Sequence, residues 1–87
     1  MIRVVVPTHL RSYTQGRPEV EASGATLGAV LADLDVRYPG LRFRIVDEQD
    51  HVRTHIKFFV GADLAPGLDH RVRDGDDVTI IAALSGG

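Results

Sequence analysis

The chain reads as a single α+β domain in which a mixed four- to five-stranded sheet wraps one main helix. Three observations carry that reading: a β-branched run at each end of the chain, one stretch whose apolar period switches from two to 3.6, and a total length of 87 residues. So short a chain cannot bury a second core, and residues 1–87 are therefore expected to form one domain ending in a short tail, 84–87.

Residues 2–6, Ile2-Arg3-Val4-Val5-Val6, favour a strand because β-branched side chains fit the pleated surface, and Pro7 ends it. Gly16 marks a turn, and Pro18-Glu19-Val20-Glu21-Ala22 then alternates polar with apolar, as expected of a strand folded back on the first. From Thr26 the apolar residues Leu27, Val30, Leu31, Leu34 and Tyr38 fall on one helical stripe. Thr26 or Ser23 can supply the N-cap oxygen, and Pro39-Gly40 stops the helix, so its expected span is 26–38 and no other helix is as clearly written. Residues 41–55 mix charge with isolated apolar positions and read as an irregular crossover, with one helical turn near Leu41-Arg42-Phe43.

Ile56-Lys57-Phe58-Phe59-Val60-Gly61 follows as a strand, then a turn-rich passage through Pro66-Gly67 to Asp74-Gly75-Asp76, where Gly75 is expected at positive φ. Residues 78–83 form the last strand. On alternation Val4, Phe58 and Ile80 face one side while Val5, Phe59, Ile81 and Ala83 face the other. One helix covers one face, so an apolar set is left for a partner, unless the crossover lies over it.

Composition narrows function. A formal net charge of −2 gives no chain-wide attraction to phosphates or anionic lipid, although Arg42 and Arg44 make a local basic pair. With no cysteine, disulfides, thiolate metal sites and a thiol nucleophile are excluded. The opening residues lack the features of a secretory leader, and no apolar run approaches membrane-spanning length, so a cytoplasmic location is expected.

The sharpest chemical signal is Ala83-Leu84-Ser85-Gly86-Gly87. Glycine is about 7 % of ordinary sequence, so a terminal pair arises by chance in roughly one chain in two hundred. Fraying is the plain reading of such an end, yet these glycines follow an apolar strand without a polar spacer. Five extended residues reach at most about 17 Å, enough to thread a carboxylate into a nucleotide pocket while the body stays outside. Glycine suits threading because it lacks Cβ and permits close backbone approach.

Other constellations are weaker. His51 and His55 would share a face only on a helix that the segment does not favour, and Asp47, Glu48 and Asp50 lack the glycine and glutamate of a calcium loop. Gly24-Ala25-Thr26-Leu27-Gly28 lacks the lysine and spacing of a phosphate loop and reads as the start of the helix. Arg3, Arg11 and Arg17 can meet an acidic partner, or serve solubility alone. No nucleophile and base stand together, so an enzyme is the weakest option.

Val6-Pro7-Thr8-His9-Leu10-Arg11, Ser23-Gly24-Ala25-Thr26-Leu27-Gly28-Ala29-Val30-Leu31 and Asp74-Gly75-Asp76-Asp77-Val78-Thr79-Ile80, leading to Gly86-Gly87, together resemble the MoaD/ThiS family of ubiquitin-like sulfur carriers, in its MoaD-like and CysO-like branches. The resemblance covers nearly the whole chain. It departs from the family's usual proline and Val-Ala before the diglycine, reading Ile81-Ala82-Ala83-Leu84-Ser85 instead, and its crossover is longer than that of a typical ThiS.

The resemblance implies a β-grasp fold, with the first and last strands adjacent and parallel, and a carrier that is no enzyme itself. A ubiquitin-activating-type enzyme would use ATP to adenylate Gly87, and a sulfur donor would convert it to a thiocarboxylate. A sulfur-accepting synthase would take the sulfur for cysteine, molybdopterin, a thio-sugar or a similar product. Gly86, Ser85 and Leu84 would thread the tail, while Phe59, Ile81 and Ala83 would dock the partner. No permanent cofactor, metal, nucleic acid or membrane is implied, and the free chain is expected to be a monomer with a mobile tail. Two rival readings are a non-covalent β-grasp module and a ubiquitin-like protein modifier; the sole lysine, Lys57, argues against polymer chains of the modifier but not against single attachments.

Overall fold

The computed structural model describes residues 1–83. Its sheet has five strands: β1 (Ile2–Val5), β2 (Glu19–Ala22), β3 (Ile56–Val60), β4 (Asp63–Leu64) and β5 (Asp77–Ala82), in the spatial order β2-β1-β5-β3-β4. The first and last strands are adjacent and parallel, with Val4 opposite Val78, and every other pair is antiparallel. This mixed sheet with one main helix across one face is the β-grasp architecture.

The main helix, α1 (Leu27–Arg37), runs where the 3.6 period places it. Leu27, Val30, Leu31 and Leu34 are fully buried against Val4, Phe58, Val78 and Ile80 from the inner sheet face, in one continuous core. Of the two candidate caps Thr26 is the one used: its hydroxyl accepts the Ala29 N–H at 3.2 Å, whereas Ser23 donates its own N–H to the Asp33 carboxylate. Gly24 lies so close to the first turn that a Cβ there would stand 2.6 Å from the Val30 nitrogen. The helix docks tightly onto the end of β2 because that side chain is missing. Gly75 has φ +90°, as the turn before β5 requires.

Three features depart from the sequence reading. The first two strands are not joined by a plain turn at Gly16: a 3₁₀ helix, Thr8–Thr14, intervenes and buries Leu10 and Thr14. It also repairs a defect in the ladder. Val6 donates to the Pro18 carbonyl at 2.8 Å, but proline has no N–H to return, and Arg11 Nε supplies the missing donor to the Val6 carbonyl at 3.0 Å. Second, the turn near residue 41 is a short helix, α2 (Leu41–Ile45), which buries Leu41 and Ile45 beneath the crossover. Third, the turn-rich passage after β3 contains the two-residue strand β4, folded back so that Leu64 lies opposite Phe59.

Candidate functional site

The side of the sheet away from α1 carries the apolar set that the alternation leaves over. Register places Val5 beside Thr79, Thr79 beside Phe59 and Phe59 beside Leu64, so these four cross the sheet in one row. The next row pairs Ile81 with Lys57. Ile81 is 43 % exposed and Leu64 53 %, while Val5 and Phe59 are half-buried by their neighbours. Leu64 belongs to this face although it was not among the expected docking residues, because its strand is written in turn residues. The irregular crossover does not seal the face.

Polar chemistry bounds the patch on one side. Arg3 meets Asp77 in a two-pronged contact, Nε to Oδ1 at 3.2 Å and Nη2 to Oδ2 at 2.8 Å, and its Nη1 lies 3.7 Å from Glu19. The hydrogen bond and charge of Asp77, followed by the charge of Glu19, raise the Arg3 pKa, so this guanidinium stays charged. On the other side, where the parallel pairing of β1 and β5 ends, a groove of about 430 Å³ opens among Val5, Pro7, Thr8, His9, Thr79 and Ile81.

β5 leads the chain along this groove. Ala82 is paired with Ile56, and Ala83, itself exposed, is pinned by its N–H to the His55 carbonyl at 2.9 Å. Of the expected docking residues the structure thus brings Phe59 and Ile81 to the outer face, and Ala83 is exposed just past the end of β5. Leu84, Ser85, Gly86 and Gly87, together with the expected mobility of the tail, lie outside the described residues.

The remaining candidates resolve into structural roles. Asp47 accepts the backbone N–H groups of Gln49 and His51, each at 2.9 Å, and these bonds, that from His51 foremost, hold its carboxyl below the usual carboxylate range. His51 and His55 stand in loop rather than on a helix, and the described residues contain no group of three or more His, Asp or Glu able to hold a metal. In the Gly24-to-Gly28 stretch the Leu27 and Gly28 amides already donate to the carbonyls of His70 and Leu68, as befits the start of a helix packed on a neighbouring loop. Arg42 is engaged with Asp50 at 2.9 Å.

A β-grasp body that leads its last strand past an uncovered apolar face defines a class of small ubiquitin-like proteins. Residues 4–87 match the model of the ThiS family, and the chain belongs to that family. Among curated proteins it is 38 % identical to the sulfur carrier protein CysO of Mycobacterium bovis, over 99 % of this chain and 98 % of the relative. Two solved structures are similar throughout. Mycobacterium tuberculosis CysO matches with a TM-score of 0.90 and 36 % identity over 97 % of this chain and all of that one. CysO in the Amycolatopsis orientalis BexX/CysO complex matches with a TM-score of 0.92 and 36 % identity over the whole of both chains. The small archaeal modifier protein 1 of Methanosarcina acetivorans follows at a TM-score of 0.82 and 26 % identity, covering 99 % of this chain and 95 % of that one.

Proposed function

We propose that this chain is a sulfur carrier whose reacting group is the Gly87 carboxylate. The observation that carries the reading is its end-to-end kinship with CysO, in sequence and in fold. The open face around Ile81, from which the chain continues into Leu84-Ser85-Gly86-Gly87, supports it.

In the proposed reaction a carboxylate oxygen of Gly87 attacks the α-phosphorus of ATP in a partner enzyme, and pyrophosphate leaves. The resulting acyl-adenylate is an electrophile, which a bare carboxylate is not. A sulfide-equivalent donor then attacks the acyl carbon, AMP departs, and a thiocarboxylate remains for transfer to an acceptor on a synthase. The chain contributes recognition through Phe59, Ile81 and Ala83 and reach through the tail, while the catalytic groups and ATP belong to partners. No cofactor resides on the carrier. Chemistry that consumes ATP and a reduced sulfur donor places its proposed site of action in the cytoplasm.

The kinship with an archaeal modifier protein favours a second reading, in which the same activated Gly87 is captured by a lysine amine of a target protein. Both readings require adenylation. The test is pyrophosphate release from ATP by the cognate activating enzyme, which should depend on this chain and disappear when Gly87 is deleted. A deletion variant that sustains full release would remove the proposal.

A further inference from the structure

Strand β3 buries Ile56, Phe58 and Val60, so Lys57 stands on the outer face with Phe59. The register sets it directly opposite Ile81, where Cβ atoms of an antiparallel pair lie about 4.5–5.5 Å apart. A protein surface that covers Ile81 therefore also strips water from the Lys57 ammonium, and burying a cation without a counter-charge is costly. The chain supplies none: Lys57 makes no ion pair among the described residues. At the far corner of the same face counter-charges are at hand. Arg3 stands between Glu21 and Asp77 in the register, forks onto Asp77 and lies 3.7 Å from Glu19.

The sheet edge beside Lys57 offers no anion either. β4 covers β3 only as far as Ala65, whose N–H donates to the Phe58 carbonyl at 2.9 Å. Past that point a groove of about 340 Å³ opens, lined by residues that include Lys57, Arg53, Thr54, Leu64, Pro66 and Gly67, and none of its lining residues is acidic. Arg53 is held in place. Its Nε and Nη2 donate to the Phe43 carbonyl at 3.0 and 2.8 Å, its guanidinium carbon lies 4.9 Å from the centre of the Phe43 ring, and Nη1 makes no hydrogen bond among the described residues. The groove thus adds a second fixed positive charge at the border of the apolar face, and Leu64 joins the two.

We propose that Lys57 is a specificity-determining residue for the carrier reading above, on which this inference rests: the activating enzyme that covers the outer face sets an aspartate or glutamate into the groove at the β3 edge, paired with Lys57 and within the field of Arg53. The apolar row supplies affinity, and the ion pair supplies orientation. Because Lys57 sits at one corner of the patch rather than at its centre, a single pair there fixes the rotation of the body on its partner. That rotation sets the line along which β5 hands the chain on toward Gly87.

The test is the dependence of pyrophosphate release on carrier concentration, beside an ATP-free titration of the ¹⁵N-labelled full chain with the same enzyme, which reads docking without chemistry. Lys57→Met should raise both KM and the dissociation constant about three- to tenfold, and Lys57→Glu more than about tenfold, with kcat unchanged and the losses shrinking at high salt. Lys57→Arg keeps the charge and should stay within about twofold of the parent. Arg44→Glu makes the same change in net charge on the exposed side of α2, away from this face, and should dock like the parent. Protection of the β3 and β5 amides reports that each variant is folded. Reversing the enzyme's surface carboxylates to lysine one at a time should find one that restores Lys57→Glu. A folded Lys57→Glu that docks like the parent, a Lys57→Arg as impaired as Lys57→Met, or a scan in which no reversal restores docking would overturn the proposal. A parent that docks with this dependence on Lys57 yet releases no pyrophosphate would support the contact and count against the carrier reading, and a parent that does not dock at all would overturn both.

Discussion

Replacing Ile81 with aspartate should disable docking while leaving a folded protein, and the structure sets the size of both effects. Fully withdrawing an isoleucine side chain from water contributes about 1.5–3 kcal/mol, and Ile81 retains 43 % exposure, so covering the remainder supplies about 0.6–1.3 kcal/mol. Truncation to alanine should therefore weaken an activating enzyme's grip about three- to tenfold. Aspartate adds a carboxylate that the interface must desolvate without a partner, which takes the loss beyond tenfold.

The cost to the fold is smaller than the substitution suggests. Aspartate is a poor strand residue and forfeits the buried part of the isoleucine, but residue 81 stands directly opposite Lys57, and a cross-strand ion pair returns about 0.2–1 kcal/mol. A net destabilisation of about 1–2 kcal/mol leaves a small domain of ordinary stability folded. The assay is the dependence of pyrophosphate release on carrier concentration, with urea denaturation as the check on folding. The matched control is Val36→Asp on the exposed side of α1, where Val36 is 79 % exposed. KM should rise more than tenfold for Ile81→Asp and stay near the parent value for the control. Equal KM values for a folded Ile81→Asp and the parent would refute the docking face.

Further outcomes follow from particular contacts. Gly24→Ala places a methyl group 2.6 Å from the Val30 nitrogen, a backbone atom that cannot yield without moving the helix, and should cost about 1–3 kcal/mol in thermal or urea unfolding. Asp33 accepts the Ser23 N–H and pairs with Arg37 at 2.8 Å, and these contacts, the first foremost, hold its carboxyl below the usual range. A lowered folded pKa means that its stabilisation is fully present above the unfolded value of about 3.9 and is lost as pH falls from there through the lower folded value. Asp33→Asn should therefore cost about 0.5–1 kcal/mol at neutral pH, with parent and variant converging in acid denaturation curves taken below about pH 4.

What the sequence revealed, and what it hid, follows from where each signal resides. The α1 stripe is written in periodicity over many residues and the strands at 2–5, 56–60 and 77–82 in β-branched and aromatic runs, while the parallel pairing of first and last strands was legible only through the family resemblance. The 3₁₀ helix at Thr8–Thr14 is too short for a period, and its role in supplying the Val6 carbonyl through Arg11 is visible only once Pro18 is seen opposite Val6. β4 consists of Asp63 and Leu64, residues that carry no strand preference of their own, and exists because Phe59 and Val60 offer it an edge. The same tertiary dependence hid Leu64 from the outer sheet face. Phe59 and Ile81 could be placed there in advance because a strand's alternation fixes its faces.

The central claim is that Gly87 carries sulfur, and intact-mass spectrometry addresses it most directly. The full chain is incubated with ATP, the cognate activating enzyme and a sulfide source, then compared with a Gly87 deletion and with a chain extended beyond Gly87. Adenylation demands that reacting atoms meet at about 3–3.5 Å, so either change in length takes the carboxylate out of register. The account predicts that the parent gains the mass of one oxygen exchanged for sulfur, located in the terminal fragment, and that both length variants stay unmodified with unfolding free energies within about 0.5 kcal/mol of the parent. A parent chain that remains unmodified beside its active genomic partner, while the deletion still sustains the cellular function, would contradict it.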